Sequence, residues 1–241
     1  MAKYGSKDVG FFLVGGYNLL GYATEIGGLD PESITEPSHT LGDTWHECTP
    51  VGLKKAMLSQ NGFYDDESGG INAATAELQN VSRVVSIAHE GNTIGKRFLG
   101  YAGAFSAKYS RVIQIGKLHK ANVNYSVTGE HEQGVILQDF EAKTVDWDTD
   151  SEEVDNAASS ANGGAGYLQV GSYSGFTGLA VTIEHSADSS SWATLLSFTN
   201  VTAARQAERV AVSGTVNRYL RVVGDVTGTG SAQVFVGFAR G

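Results

Sequence analysis

Residues 120–132 read KANVNYSVTGEHE, and the apolar residues fall on every second position. Ala121, Val123, Tyr125 and Val127 share one face. Asn122, Asn124, Ser126, Thr128 and Glu130 share the other. Side chains alternate across an extended strand, so this period describes a strand with one buried and one wet face.

The surrounding sequence has the same character. Apolar runs at RVVSIAH (83–89) and RFLGYAGAFSAKYSRVIQIG (97–116) precede it. After residue 165 come GYLQVGSYSG, LAVTIEHSAD, WATLLSFT, ERVAVSG, RYLRVVGDV and AQVFVGFAR. Turn signals between them recur about every 8–12 residues, the spacing of a β-sandwich. The chain's 31 glycines supply those turns. GDVTGTG (224–230) precedes a strand and reads as a hairpin turn, not a phosphate-binding loop. One segment breaks the pattern: Ile71, Ala74, Leu78 and Val81 stand at helical spacing, which predicts a short helix over about 71–80. The expected class is all-β with one short helix.

Composition changes near residue 140. All three prolines, Pro31, Pro37 and Pro50, lie in the first fifty residues, and the last lysine is Lys143. An acidic stretch and then AASSANGGAG (157–166) separate the halves. The expected division is a first domain over 1–140, a linker or first strand over 141–165, and a C-terminal β-sandwich over 166–241. A chain cut near residue 158 is expected to keep an assembling first domain.

Residues 27–52 are rich in turn formers and lack periodicity, so they read as a long loop, and such loops are usually functional or disordered. The prolines would lower the entropy lost when it docks, and Trp45 is a residue type enriched at interface anchors. VGLKKAMLSQNGFYDD (51–66) follows as a strand.

The formal charge of −9 argues against a protein that grips nucleic acid by its phosphates. No apolar run approaches the roughly 18 residues of a membrane span. Cys48 is the single cysteine, so no internal disulfide forms. Asp146, Asp148 and Asp150 open like an EF-hand loop, but Ser151 and Ala157 stand where glycine and glutamate are required. His39, His46 and Cys48 lack the spacing of a zinc motif. No nucleophile elbow occurs. Neither a catalytic residue, a metal site nor a cofactor is expected.

Taken together, residues 7–137 resemble the major tail tube protein of long-tailed phages. The likeness rests on FFLVGGYNLLGYATEI, the loop SHTLGDTWHECTPVG, the phrase GLKKAMLSQNGFYDD and the helix INAATAELQ. It implies a sandwich or barrel subunit that forms hexameric rings stacked into a tube, with an outward C-terminal β-domain. Implied partners are other copies, the tape measure, tail terminator and distal tail proteins, and viral DNA that passes without specific binding. The implied location is the virion, assembled in the host cytoplasm. A polar, non-basic wall suits sliding DNA, which makes Asn122, Asn124, Ser126, Thr128 and Glu130 the candidates to face the lumen; an ordinary solvent face is the alternative. Pro31, Pro37, Trp45 and Pro50 are the inter-subunit candidates. VTIEHSADSSSWATL and RYLRVVGDV also resemble discoidin-like and galactose-binding-like sandwiches, and an immunoglobulin-like topology fits the strand count equally. Asp188 and Trp192 would then contact a host-surface glycan, unless Trp192 caps the core. An adhesin or decoration protein is therefore the second reading.

Overall fold

The computed structural model describes residues 4–241 except Asp43, His46, Leu78 and Asn80, and gives the backbone only at Glu77. The chain is all-β with one short helix. The first strands are β1 (Phe11–Val14), β2 (Tyr17–Asn18), β3 (Ala23–Gly27), β4 (Glu32–Pro37), β5 (Cys48–Lys55) and β6 (Met57–Phe63), followed by α1 (Ile71–Glu77). Then come β7 (Arg83–Ala88), β8 (Arg97–Val112), β9 (Lys120–Lys143), β10 (Trp147–Asp148), β11 (Val154–Asp155), β12 (Gly164–Ser186), β13 (Ala193–Ser197), β14 (Ala207–Val212) and β15 (Tyr219–Arg240). No helix among the described residues is long and apolar enough to cross a membrane.

The alternation at 120–132 has its expected consequence. Ala121, Val123 and Tyr125 are fully buried. They pack with Phe12, Val14, Leu58, Val85, Ile87 and Tyr101, and with Ile71 and Ala74 of α1. The helix is shorter than expected: Val81 lies beyond it and is exposed, and Leu78 falls outside the described residues. The tyrosine hydroxyl at 125 donates to Gln60 Oε1 at 2.8 Å, so the buried amide is not left unpaired. The β1–β2 turn is Gly15-Gly16, both at positive φ (57° and 82°), the conformation of a two-residue hairpin with Val14 opposite Tyr17.

Three expectations about element boundaries need correction. The phrase at 51–66 is two strands, β5 and β6, parted at Ala56. Residues 27–52 are not a loop: they contain β4 and the start of β5, which pair antiparallel as a sheet of their own. GDVTGTG is not a hairpin turn. Gly224, Gly228 and Gly230 lie inside the 22-residue strand β15, beside the 23-residue β12. The β12–β15 register shifts three times between Val170 and Gly178. There Gly175 and Gly228 have φ of 81° and 91°, and a Cβ at Gly230 would sit 2.1 Å from the carbonyl oxygen of Ser174. The glycines mark bulges that bend two long strands, where a turn would have ended them.

That bend joins the two halves. The part of β15 before it pairs with β10, β11 and the end of β12, over a core of Leu179, Val181, Ile183, Leu220 and Val222. The part after it pairs with β9, Ala232 opposite Lys143 and Phe238 opposite Val135. A third core forms there from both halves: Phe11, Leu13, Phe98, Ile136 and Phe140 pack with Ala165, Tyr167, Phe235 and Ala239. Phe235 meets Phe11 and Phe98 edge-on, with ring centroids 4.6 and 5.3 Å apart. Buried Gln169 of β12 accepts from Gly16 N at 2.8 Å and donates to Val84 O at 3.0 Å. The packing bears on whether the first domain can be separated: one side of β1 and β7 is covered by strands from beyond residue 158.

Candidate assembly interface

The feature that stands apart is the β4–β5 arm. It leaves the sheet where β3 ends and returns where β6 begins. Glu32 lies opposite Lys55, Thr35 opposite Pro50 and Pro37 opposite Cys48. Ser38 N donates to Glu47 O at 2.9 Å toward the tip. Every described residue from Glu32 to Lys55 is exposed except half-buried Ile34. Pro50 fits within β5 because that strand has a partner on one side only. The ion pair of Lys55 with Glu32 at the root, 3.4 Å, is solvent-exposed and contributes little.

A two-stranded hairpin in water is marginal by itself. This one also carries apolar side chains into solvent: Trp45 is 83% exposed, Leu53 65%, and Leu41 fully so. Its strand edges remain open to pairing. Of the expected inter-subunit residues, the structure brings Pro37, Trp45 and Pro50 onto one arm. Pro31 sits half-buried at the root, in a cleft of about 400 Å³ with Lys54, Lys55, Glu130 and His131.

The wet face of β9 lies beside that root. Asn122 stands between Asn61 of β6 and Ser110 of β8, and Asn124 between Ser59 and Lys108. Ser126 stands between Met57 and Phe105. The first two rows make a polar, weakly charged surface of half-buried and exposed side chains, and the third sets Ser126 between two apolar ones. The other two members of the set are engaged. Thr128 Oγ1 lies 3.0 Å from Ser82 Oγ. Glu130 pairs with Arg209 of β14, which also binds Glu132 at 2.8 Å and stacks over Tyr167. The Tyr167 hydroxyl donates to Glu132 as well. Sequence reading gave no sign of this lock between the halves, because its members are up to 79 residues apart.

His131 lies under the arm root, against Tyr101 at 4.9 Å between ring centroids. Burial holds its imidazole below the ordinary 6.5, Asp30 and Glu132 oppose that shift, and Lys54 adds to it. With the folded-state value depressed, the unfolded chain takes up the proton first. The associated stabilisation is complete above 6.5 and is lost as pH falls through the lower folded value. His185 shifts in the same direction by burial. His131→Gln should flatten the loss of stability as pH falls below 6.5, read by urea unfolding at several pH values. An unchanged slope would contradict this.

The remaining candidates are occupied locally. Asp188 accepts from Ser190 N, Ser191 N and the Ser186 hydroxyl within its own loop, which holds its carboxyl far below the usual range. The half-buried Trp192 ring is covered by the Arg221 guanidinium at 4.4 Å. Asp146 accepts from Val226 N, Asp148 from Asp150 N, and Asp150 pairs with Arg221. His39 and Cys48 lie on the arm, and His46 is outside the described residues. Among the described residues no three metal-ligating side chains come together.

No protein-family model matches the chain, and no curated protein does. Among solved structures it is similar to the virion of a native gene transfer agent particle, at 11% identity and TM-score 0.39, over 54% of this chain and 97% of that one. It is also similar to the Dit protein of phage SPP1, at 13% identity and TM-score 0.36, over 94% and 97%. A third is the sheath-tube complex of an extracellular contractile injection system, at 9% identity and TM-score 0.38, over 52% and 87%. Overlaps this low establish no relationship.

Proposed function

We propose that this chain is a non-catalytic structural subunit of a phage-type tail, whose copies form rings stacked into a tube around passing DNA. The observation that carries the reading is the β4–β5 arm. It is a hairpin whose described residues, Ile34 apart, are solvent-exposed, and it presents Trp45, Leu41 and Leu53 to water. Such an element gains its stability from a neighbour. Six copies per ring, and the tape measure, terminator and distal tail proteins as partners, follow from the sequence resemblance. The C-terminal strands would lie on the outer side.

The test is to replace residues 33–54 by a Gly-Gly link. The product should stay folded, because the arm adds nothing to the cores, and should sediment as a monomer at concentrations where the full chain assembles. Normal assembly without the arm would refute the reading.

The open face of β9 is proposed to line the passage. Changing Asn122, Asn124 and Ser126 to lysine should leave the fold intact, since these side chains reach water. Assembled copies would then hold phosphates by counterion release. DNA ejection should slow at low salt and recover at high salt. Unchanged ejection from normal tubes would place this face elsewhere.

A further inference from the structure

We infer that the arm of one copy docks on the β8–β9 hairpin end of a second copy, so that subunits associate head to tail along the strand direction. This rests on the self-assembly reading above and names the surface that receives the arm.

The register fixes where the two surfaces lie. β6 and β9 run antiparallel, with Met57 opposite Ser126 and Phe63 opposite Lys120. The arm joins β6 at its Met57 end. The β8–β9 connection, residues 113–119, lies at the Phe63 end. The two features therefore leave the same sheet from opposite ends, separated by seven residues of β6, or about 20 Å of strand.

Both ends present apolar side chains to water. At the β8–β9 end Ile113 is 70% exposed, Leu118 72%, and Ile115 fully so. Unlike an apolar residue scattered on a surface, these three cluster on one connection of seven residues. The base of that connection is fixed to the body: Arg111 Nη2 donates to Asn72 Oδ1 at 2.9 Å, and its guanidinium lies over Tyr64 and Tyr109.

Charge supplies the choice of partner. Residues 111–120 contain Arg111, Lys117 and Lys120 and no acid. The described residues of the distal arm, within 36–48, include Glu36 and Glu47 and neither lysine nor arginine. In a chain of net charge −9, a basic apolar end and an acidic apolar arm are complementary. Because the two patches differ, the contact is heterologous: each copy uses its arm on one neighbour and its β8–β9 end on another. Such contacts propagate and do not close as a dimer.

Cross-linking in a Cys48→Ser background tests this. One preparation carries Leu41→Cys and another Ile115→Cys. They are mixed under assembling conditions and oxidised. The mixed disulfide should exceed either homodimer by about tenfold, since only the mixed pair is brought together by complementary charge. In parallel, Lys117→Glu with Lys120→Glu should raise the concentration needed for assembly by about tenfold or more, by placing like charges in contact. Adding Glu36→Lys and Glu47→Lys should restore it. Circular dichroism of these exposed-site variants should match the parent. Assembly of the parent with no excess of mixed disulfide, or with the lysine variants assembling normally, overturns the inference and leaves the self-assembly reading standing. Failure of the parent to assemble overturns both. Binding of the β8–β9 end to anionic vesicles, with no mixed cross-link, also overturns it and makes that end a lipid-facing element.

Discussion

A chain ending at Ala157 is expected not to fold. The cut removes β12 to β15, and with them Tyr167, Phe235 and Ala239, which cover one face of β1, β7, β8 and β9. Phe11, Leu13, Phe98, Ile136 and Phe140 would be returned to water. At roughly 1.5–3 kcal/mol for each large apolar side chain, the loss is about 7–15 kcal/mol, comparable to the whole net stability of a domain. Buried polar partners disappear too: Gln169 no longer satisfies Gly16 N and Val84 O. Edges of β9 that now pair with β15 would be open to aggregation. The check is soluble yield and a thermal melt of residues 1–157 against the full chain. A soluble fragment with a cooperative melt would contradict the shared core.

The second large effect is at Val123. Its side chain is fully buried between Gln60 of β6 and Tyr109 of β8. Val123→Asp places a carboxyl among Phe12, Leu58 and Tyr125, and no lysine or arginine is buried among the described residues. Burying a polar group without a partner costs about 2–7 kcal/mol, and the lost valine packing adds to it. The expected product is insoluble or molten. The neighbouring change Asn124→Asp is the control, because position 124 points to the wet face beside Lys108. It should fold with a melting temperature within a few degrees of the parent. Equal damage at both positions would show that the faces are assigned wrongly.

These two predictions differ in how much of them was visible in the sequence. The faces of β9 followed from residue type alone, because period-two alternation is a local property and Ala121, Val123 and Tyr125 obey it. The shared core did not. Phe11 and Phe235 are far apart in the chain, and no local pattern links an apolar residue in β1 to one in β15. The composition break near residue 140 is real as a change of residue usage, but strand pairing runs across it. Glycine misled in a related way at GDVTGTG: the residues that usually end a strand here bend one, and only the facing strand distinguishes the two cases. The arm was legible as an unusual, proline-bearing segment with Trp45 in it. Its hairpin form was obscured because an arm with no buried face shows no alternation of apolar and polar residues. Ile113 and Ile115 read in the sequence as the end of a strand, since an apolar run looks the same whether a core or water covers it, and Leu118 falls between the two runs.

The measurement that bears most directly on the central claim is electron microscopy of the full chain as its concentration is raised. Hollow tubes of uniform diameter, built from repeating rings, are the expected result. A chain that stays monomeric at every concentration, with its arm intact and its fold verified by circular dichroism, would contradict the account.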